Sequence, residues 1–154
     1  VVECPAKAIE FKGPYEDMGK ARLNEVFKET RNSDPLIINF YCSYNLDLAL
    51  SREELPKNIR QVNLLSLGKL SPGLILDAFE KGADGVLITS CDDSCHFGDS
   101  CNTWAEQRAE TAMDFLASIG IEKERIKYHM LPDQDGDSFL KTANQLIEDI
   151  RNLS

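Results

Sequence analysis

From Leu36 onward, short apolar runs alternate with longer stretches in which apolar positions recur every three or four residues, the periods of strand and helix. Leu36-Ile-Ile-Asn-Phe-Tyr41 predicts a first strand, bounded by Asp34-Pro35 before it and Cys42-Ser43 after it. A helix over about Asn45 to Glu54 follows, stopped by Pro56, and Asn58 to Leu65 reads as the second strand. Ser71-Pro72 then announces a helix, a capping hydroxyl followed by a proline whose missing N–H costs nothing in the first turn. Leu74, Ile75, Ala78 and Phe79 ride on that helix and Gly82 ends it. Gly85 to Ser90 is almost wholly apolar, which predicts a third strand buried on both faces.

The longest predicted helix runs from Asn102 to Ile119, with Ala105, Ala109, Ala112, Met113, Leu116 and Ile119 at helical spacing and Gly120 closing it. Arg125 to Leu131 makes a fourth strand. A last helix from about Ser138 to Arg151 carries Phe139, Leu140, Ala143, Leu146, Ile147 and Ile150 on one face. Ahead of the first strand, residues 15–33 read as a connecting helix with Met18, Ala21, Leu23, Val26 and Phe27 as its apolar positions. Strand and helix in regular alternation is the signature of an α/β protein with a parallel sheet between helical layers. Right-handed crossovers then favour a flavodoxin-like three-layer fold, a four-stranded parallel sheet in the order 2-1-3-4. Its ligand crevice lies at the carboxyl edge, between strands one and three.

At 154 residues the chain suffices for one main domain. Hydrophobic content of 42% and charged content of 28% are those of a folded globular protein, and no apolar run reaches membrane-spanning length. A net charge of -9 argues against nucleic acid and against an anionic membrane surface, both of which need basic residues. Proteins or small molecules are the expected partners.

The cysteines change the picture most. There are five, an odd number for a disulfide framework, and no secretory signal opens the sequence, so a cytoplasmic location is expected. Three of them fall in Cys91-Asp-Asp-Ser-Cys95-His-Phe-Gly-Asp-Ser-Cys101, a stretch whose aspartates and serines make it too polar for a core. Thiols this close can share one metal site or perform redox chemistry. In the predicted topology Cys42 follows strand one and Cys91 follows strand three, which makes them neighbours at the crevice, with Cys95 and Cys101 on the adjoining loop. Four thiols then converge and can hold an iron-sulfur cluster or, as an alternative, a structural zinc. A flavin phosphate site is disfavoured, because Cys42-Ser43-Tyr44-Asn45-Leu46 offers no phosphate loop after strand one. A cysteine nucleophile served by His96 is also disfavoured, since neighbouring loop residues such as Cys95 and His96 rarely face each other.

Two further side chains are candidates around a bound cofactor. His96 can donate a hydrogen bond to a cluster sulfur or stand in solvent; Arg108 can offset thiolate charge or form a surface ion pair with Glu106 or Glu110. Trp104 reads first as core packing, with an interface or an electron path as alternatives. At the start of the chain, Val1-Val-Glu-Cys4-Pro5-Ala-Lys-Ala-Ile-Glu-Phe11 looks like the end of a bacterial ferredoxin motif, in which a last cysteine and proline lead into a small turn and strand. Residues 1–14 are then a ferredoxin-like tail, the remnant of an upstream module, and a 4Fe-4S cluster is expected only where that module is present.

Phe40-Tyr-Cys42, Gly68-Lys69, Lys81-Gly-Ala-Asp-Gly-Val-Leu87, the loop Cys91 to Phe97, and Asn102, Ala105 and Arg108 at a helix start form an ordered set. Gly120 to Ile126 and Asp137-Ser-Phe139 extend it. The set resembles the delta subunit of methyl-viologen-reducing hydrogenase, over about residues 36–152 and within a domain spanning 34–154. The resemblance implies a non-catalytic, iron-sulfur subunit or domain of an oxidoreductase complex from an anaerobe, carrying a two-iron (2Fe-2S) cluster. Such a unit relays electrons between a hydrogenase or dehydrogenase and a flavin-containing, heterodisulfide-reductase-like subunit. It is similar also to a domain fused behind ferredoxin and flavoprotein modules, including one in quinone-interacting oxidoreductases. The match has departures: Tyr41 and Asn45 stand where the family has cysteines, as does Ser66 after strand two, whereas Cys101 is additional. A cluster would therefore be held by Cys42, Cys91, Cys95 and Cys101; without it, the domain would serve as a docking scaffold in the same kind of complex.

Overall fold

A computed structural model describes residues 15–29, 31, 34–42, 55–91, 95, 100–131 and 136–153. Four strands, β1 Ile37–Cys42, β2 Ile59–Leu64, β3 Gly85–Cys91 and β4 Ile126–Leu131, pair in parallel in the order β2-β1-β3-β4. Their helices are α1 Tyr15–Val26, α2 Pro72–Glu80, α3 Ser100–Ser118 and α4 Gly136–Leu153. The strand order is the one expected from the alternation of elements and right-handed crossovers. The central strands β1 and β3 are the apolar ones, while the edge strands β2 and β4 carry Arg60, Gln61, Asn63, Lys127 and His129. A strand paired on both sides and covered on both faces leaves little place for polar side chains, so composition alone separates centre from edge.

Side-chain alternation along the strands divides the core in two. On one face Ile38, Phe40, Val62, Val86 and Ile88 meet Leu23 of α1, Leu74, Ile75 and Ala78 of α2, and the alanine stripe Ala105, Ala109 and Ala112 of α3. The other face sets Ile37, Ile59, Leu87 and Leu131 against Phe139, Ala143, Leu146, Ile147 and Ile150 of α4. Ser71 caps α2 as expected, its hydroxyl accepting from the Leu74 amide at 3.2 Å. The connecting helix stops at Val26, short of residue 33, as its last turn tightens through a Lys28 amide bond to the Glu25 carbonyl. Its far end is tied to the sheet edge: Arg22 donates to the carbonyl and side chain of Asn63, and Arg60 donates to the Val26 carbonyl at 2.8 Å.

Three differences from the expected boundaries bear on the site. Cys42 and Cys91 are the last residues of their strands rather than the first residues after them, because pairing continues through Cys42 with Leu64 and Cys91 with Leu131. Helix α3 begins at Ser100, so Cys101 sits in its first turn and not on the loop; Cys101 and Ala105 share a face, which carries the buried stripe one turn further back. At the other end, Ile119 lies beyond α3 and is exposed, outside the stripe it was expected to extend. A 3-10 turn, Leu67–Lys69, separates β2 from α2. The expected helix over Asn45 to Glu54, the tail 1–14 with Cys4, and His96 lie outside the described residues. Among the described residues no helix is long and apolar enough to cross a membrane.

Candidate metal or redox centre

The carboxyl ends of β1 and β3 each finish on a buried cysteine. Parallel pairing sets β1 directly beside β3, which brings Cys42 and Cys91 to one edge of the sheet. The Cys42 thiol lies in the core face shared with Phe40 and donates to the Leu65 carbonyl at 3.6 Å. Tyr41, one residue earlier, packs on the opposite face against the α4 cluster, as the alternation of a strand requires. Helix α3 supplies Cys101, also buried, and Cys95 comes from between β3 and α3, half-buried against the same cluster.

The four sulfurs feel one another. Burial pushes the Cys91 thiol up to about 12, helped by a hydrogen bond with Cys95 and by the nearby sulfurs of Cys95, Cys42 and Cys101. Burial also raises Cys101, while hydrogen bonds from Ser66 and Gly68 pull it back down and Cys95 pushes it up. Among the described residues no three Cys, His, Asp or Glu side chains already surround one metal-sized point. The thiols meet pairwise instead, with Cys95 bridging Cys91 and Cys101. Their chemistry suits a soft metal: buried sulfurs that resist ionising singly are relieved when a cation replaces their protons.

Around the thiols stand further polar groups, of which sequence reasoning passed over Tyr128. Asn102, buried, donates its amide to the Cys91 carbonyl at 2.8 Å and accepts from the Cys91 thiol at 3.9 Å. Ser66 Oγ stands 3.3 Å from Cys101 Sγ, and the Gly68 amide donates to that sulfur at 3.2 Å. Thus Ser66, just after β2, faces Cys101 of α3 across the site. Tyr128 of β4 donates to Ser90 Oγ at 2.8 Å; burial raises its hydroxyl, the Ser90 bond lowers it, and Glu106, Cys91 and Cys101 add to the rise. A serine two residues before a glycine at the end of a strand was a legible turn signal for Ser66; no local pattern singled out Tyr128.

Arg108 forms an arrangement that neither expectation described. Its guanidinium donates to the carbonyls of Gly68 and Leu70, the latter at 3.0 Å, and lies 5.5 Å from the centroid of the Trp104 ring. Arg108 therefore fastens the 3-10 turn to α3, with its charge over an aromatic face, and Trp104 is half-buried beneath it instead of sealed in the core. A groove of about 310 Å³ between α1 and α2, lined by Lys20, Leu23, Asn24, Asp77, Glu80 and Lys81, contains none of these residues.

The family model for the methyl-viologen-reducing hydrogenase delta subunit matches residues 37–154. The chain is 32% identical over 128 residues to the iron-sulfur subunit of the F420-non-reducing hydrogenase vhc of Methanococcus voltae, spanning 79% of this chain and 88% of that protein. The corresponding iron-sulfur subunit of the F420-non-reducing hydrogenase vhu of Methanocaldococcus jannaschii is 32% identical over 125 residues, 78% of this chain and 93% of that one. One chain of the ferredoxin/F(420)H(2)-dependent CoB-CoM heterodisulfide reductase of Methanosarcina acetivorans is 30% identical over 125 residues. That stretch covers 77% of this chain but 16% of the reductase polypeptide, so the same unit occurs alone in some proteins and within a much longer chain in others.

Proposed function

The chain belongs to the methyl-viologen-reducing hydrogenase delta-subunit family, and from that premise we propose that it is an electron-transfer domain of a cytoplasmic redox complex, built around a two-iron cluster on Cys42, Cys91, Cys95 and Cys101. The placement of Cys42 and Cys91 at the ends of neighbouring strands, with Cys95 and Cys101 packed in the same cluster as Cys42, carries the proposal. Relatives named as iron-sulfur subunits support an iron-sulfur cofactor, and those named as hydrogenase and heterodisulfide reductase subunits support the choice of partners. The two partners are a hydrogenase or dehydrogenase subunit on one side and a flavin-containing, heterodisulfide-reductase-like subunit on the other.

Held by these four cysteines, such a cluster would supply one-electron transfer, with no bond made or broken in a substrate. The protein's residues supply everything else. The cysteines give up their thiol protons on loading and furnish four soft ligands. Phe40, Ala105 and the rest of the core face keep water from Cys42 and Cys101, Cys91 is buried at the end of β3 beside Asn102, and Cys95 is half-buried, the most exposed of the four. In this reading residues 34–154 are the domain, 15–33 the helix that joins it, and the tail 1–14 with Cys4 a ferredoxin-like remnant.

Iron and acid-labile sulfide in the full chain purified without oxygen test the proposal. The expected result is a brown protein whose visible absorption disappears in Cys91→Ser. Folded protein with neither iron nor sulfide overturns it in favour of a docking scaffold in the same complex, and zinc without sulfide assigns the thiols a structural role.

A further inference from the structure

The three buried thiols are not held alike. Cys42 donates its proton to the Leu65 carbonyl and Cys91 to the Asn102 side-chain oxygen, whereas Cys101 receives. The Gly68 amide points at Cys101 Sγ from 3.2 Å, and Ser66 Oγ stands 3.3 Å away. That amide also reaches Ser66 Oγ at 3.2 Å; between that hydroxyl and a protonated Cys101 either atom can be the donor, but toward a metal-bound, deprotonated sulfur the hydroxyl can only donate. A deprotonated sulfur has only lone pairs to offer, and both neighbours then serve it as donors.

The local sequence is built for this approach. A β-carbon placed on Gly68 would be in ordinary contact with Cys101 Sγ at 3.6 Å but tight against Ser66 Oγ at 3.3 Å, so that hydroxyl would have to give way. Arg108 holds the turn from behind through the carbonyls of Gly68 and Leu70. Its charge sits on the carbonyl side of the 3-10 turn, so the amide side faces the thiol.

We infer that Ser66 and Gly68 form a hydrogen-bonding seat for the Cys101 sulfur that raises the reduction midpoint of the centre, with Arg108 as the residue positioning the turn. The inference rests on the cluster reading above. Reduction adds negative charge to the centre, and donors to a ligand sulfur stabilise that charge more than they stabilise the oxidised state. The seat thus makes Cys101 the ligand best suited to bear added charge, and gives a serine that cannot easily replace a thiol a different task in the same site.

Potentiometric titration of the full chain, followed by visible absorption and electron paramagnetic resonance, tests the seat. Iron and sulfide are counted alongside in wild type, Ser66→Ala, Ser66→Thr and Gly68→Ala. The expected outcome is a midpoint moved to more negative potential in Ser66→Ala at unchanged iron and sulfide, and a wild-type midpoint in Ser66→Thr, which keeps the donor. Gly68→Ala moves it the same way by crowding the Ser66 hydroxyl away from the sulfur. An unchanged midpoint in Ser66→Ala overturns the seat and leaves the cluster reading standing; wild-type protein without iron and sulfide overturns both.

Discussion

Asn102 fastens the first turn of α3 to the last residue of β3, its amide 2.8 Å from the Cys91 carbonyl and its oxygen 3.9 Å from the Cys91 thiol. The contact is buried, so neither partner has water to fall back on. Asn102→Ala strands the carbonyl and is expected to destabilise the chain by about 1–3 kcal/mol. Urea denaturation gives the number, and an unchanged midpoint would show that the fastening is dispensable.

Thiol reactivity should follow burial. Cys95 is half-buried, while Cys42, Cys91 and Cys101 are 4%, 7% and 5% exposed. Alkylation of the metal-free chain, timed by peptide mass spectrometry, should modify Cys95 well before the other three, because a thiol must be both ionised and reachable to react. Equal rates for Cys91 and Cys95 would contradict the arrangement.

The raised Cys91 thiol sets a direction for pH. Its folded value is pushed up to about 12 from an ordinary 9.0, so between those limits the unfolded chain has lost a proton that the folded chain keeps. Stability of the metal-free protein is therefore whole below pH 9.0 and falls as pH rises toward 12, by at most about 1.4 kcal/mol per pH unit from this group. Denaturation series on both sides of that lower limit should show the decline, and Cys91→Ser should flatten it.

Gly85 opens β3 where α4 comes closest to the sheet. A β-carbon there would fall 2.2 Å from Ile150 Cδ1 and 3.0 Å from the Arg125 carbonyl. Gly85→Ala should cost about 1–3 kcal/mol as the helix end shifts to relieve the clash. Trimming the partner in Gly85→Ala with Ile150→Val should recover part of the loss, a positive coupling readable from a double-mutant cycle.

Phe40→Ala removes a fully buried ring from the face that α2 and α3 cover, on the strand that presents Cys42. An expected loss of about 3–5 kcal/mol follows from the cavity it leaves. Calorimetry or urea titration checks it, and a loss below about 1 kcal/mol would mean that the core closes over the gap.

The four strands, their order and the faces of α2, α3 and α4 could be read from the chain because each is a local pattern: burial on one side repeats with the period of the element that is buried. The apolar run Gly85 to Ser90 marked β3 as buried on both faces, and Ser71-Pro72 marked a helix start that the hydroxyl of Ser71 does cap. Strand order was within reach for the same reason, since short right-handed crossovers leave few choices. With that order, Cys42 and Cys91 had to end neighbouring strands at one edge of the sheet.

What the tertiary structure decided lies between elements far apart in the chain. That Ser66 and Gly68 face Cys101, that Arg108 grips carbonyls of the turn instead of pairing with Glu106 or Glu110, and that Tyr128 stands beside the thiols all depend on how far each helix begins before its periodic stripe and how closely it settles on the sheet. Cys101 shows the difference most plainly. The chain placed it within reach of the other cysteines, but a helix that begins two residues earlier than expected, at Ser100, moved it from loop to core and turned its sulfur toward a backbone amide. Periodicity encodes which face is buried; hydrogen-bond partners across a site are fixed only when packing sets the distances.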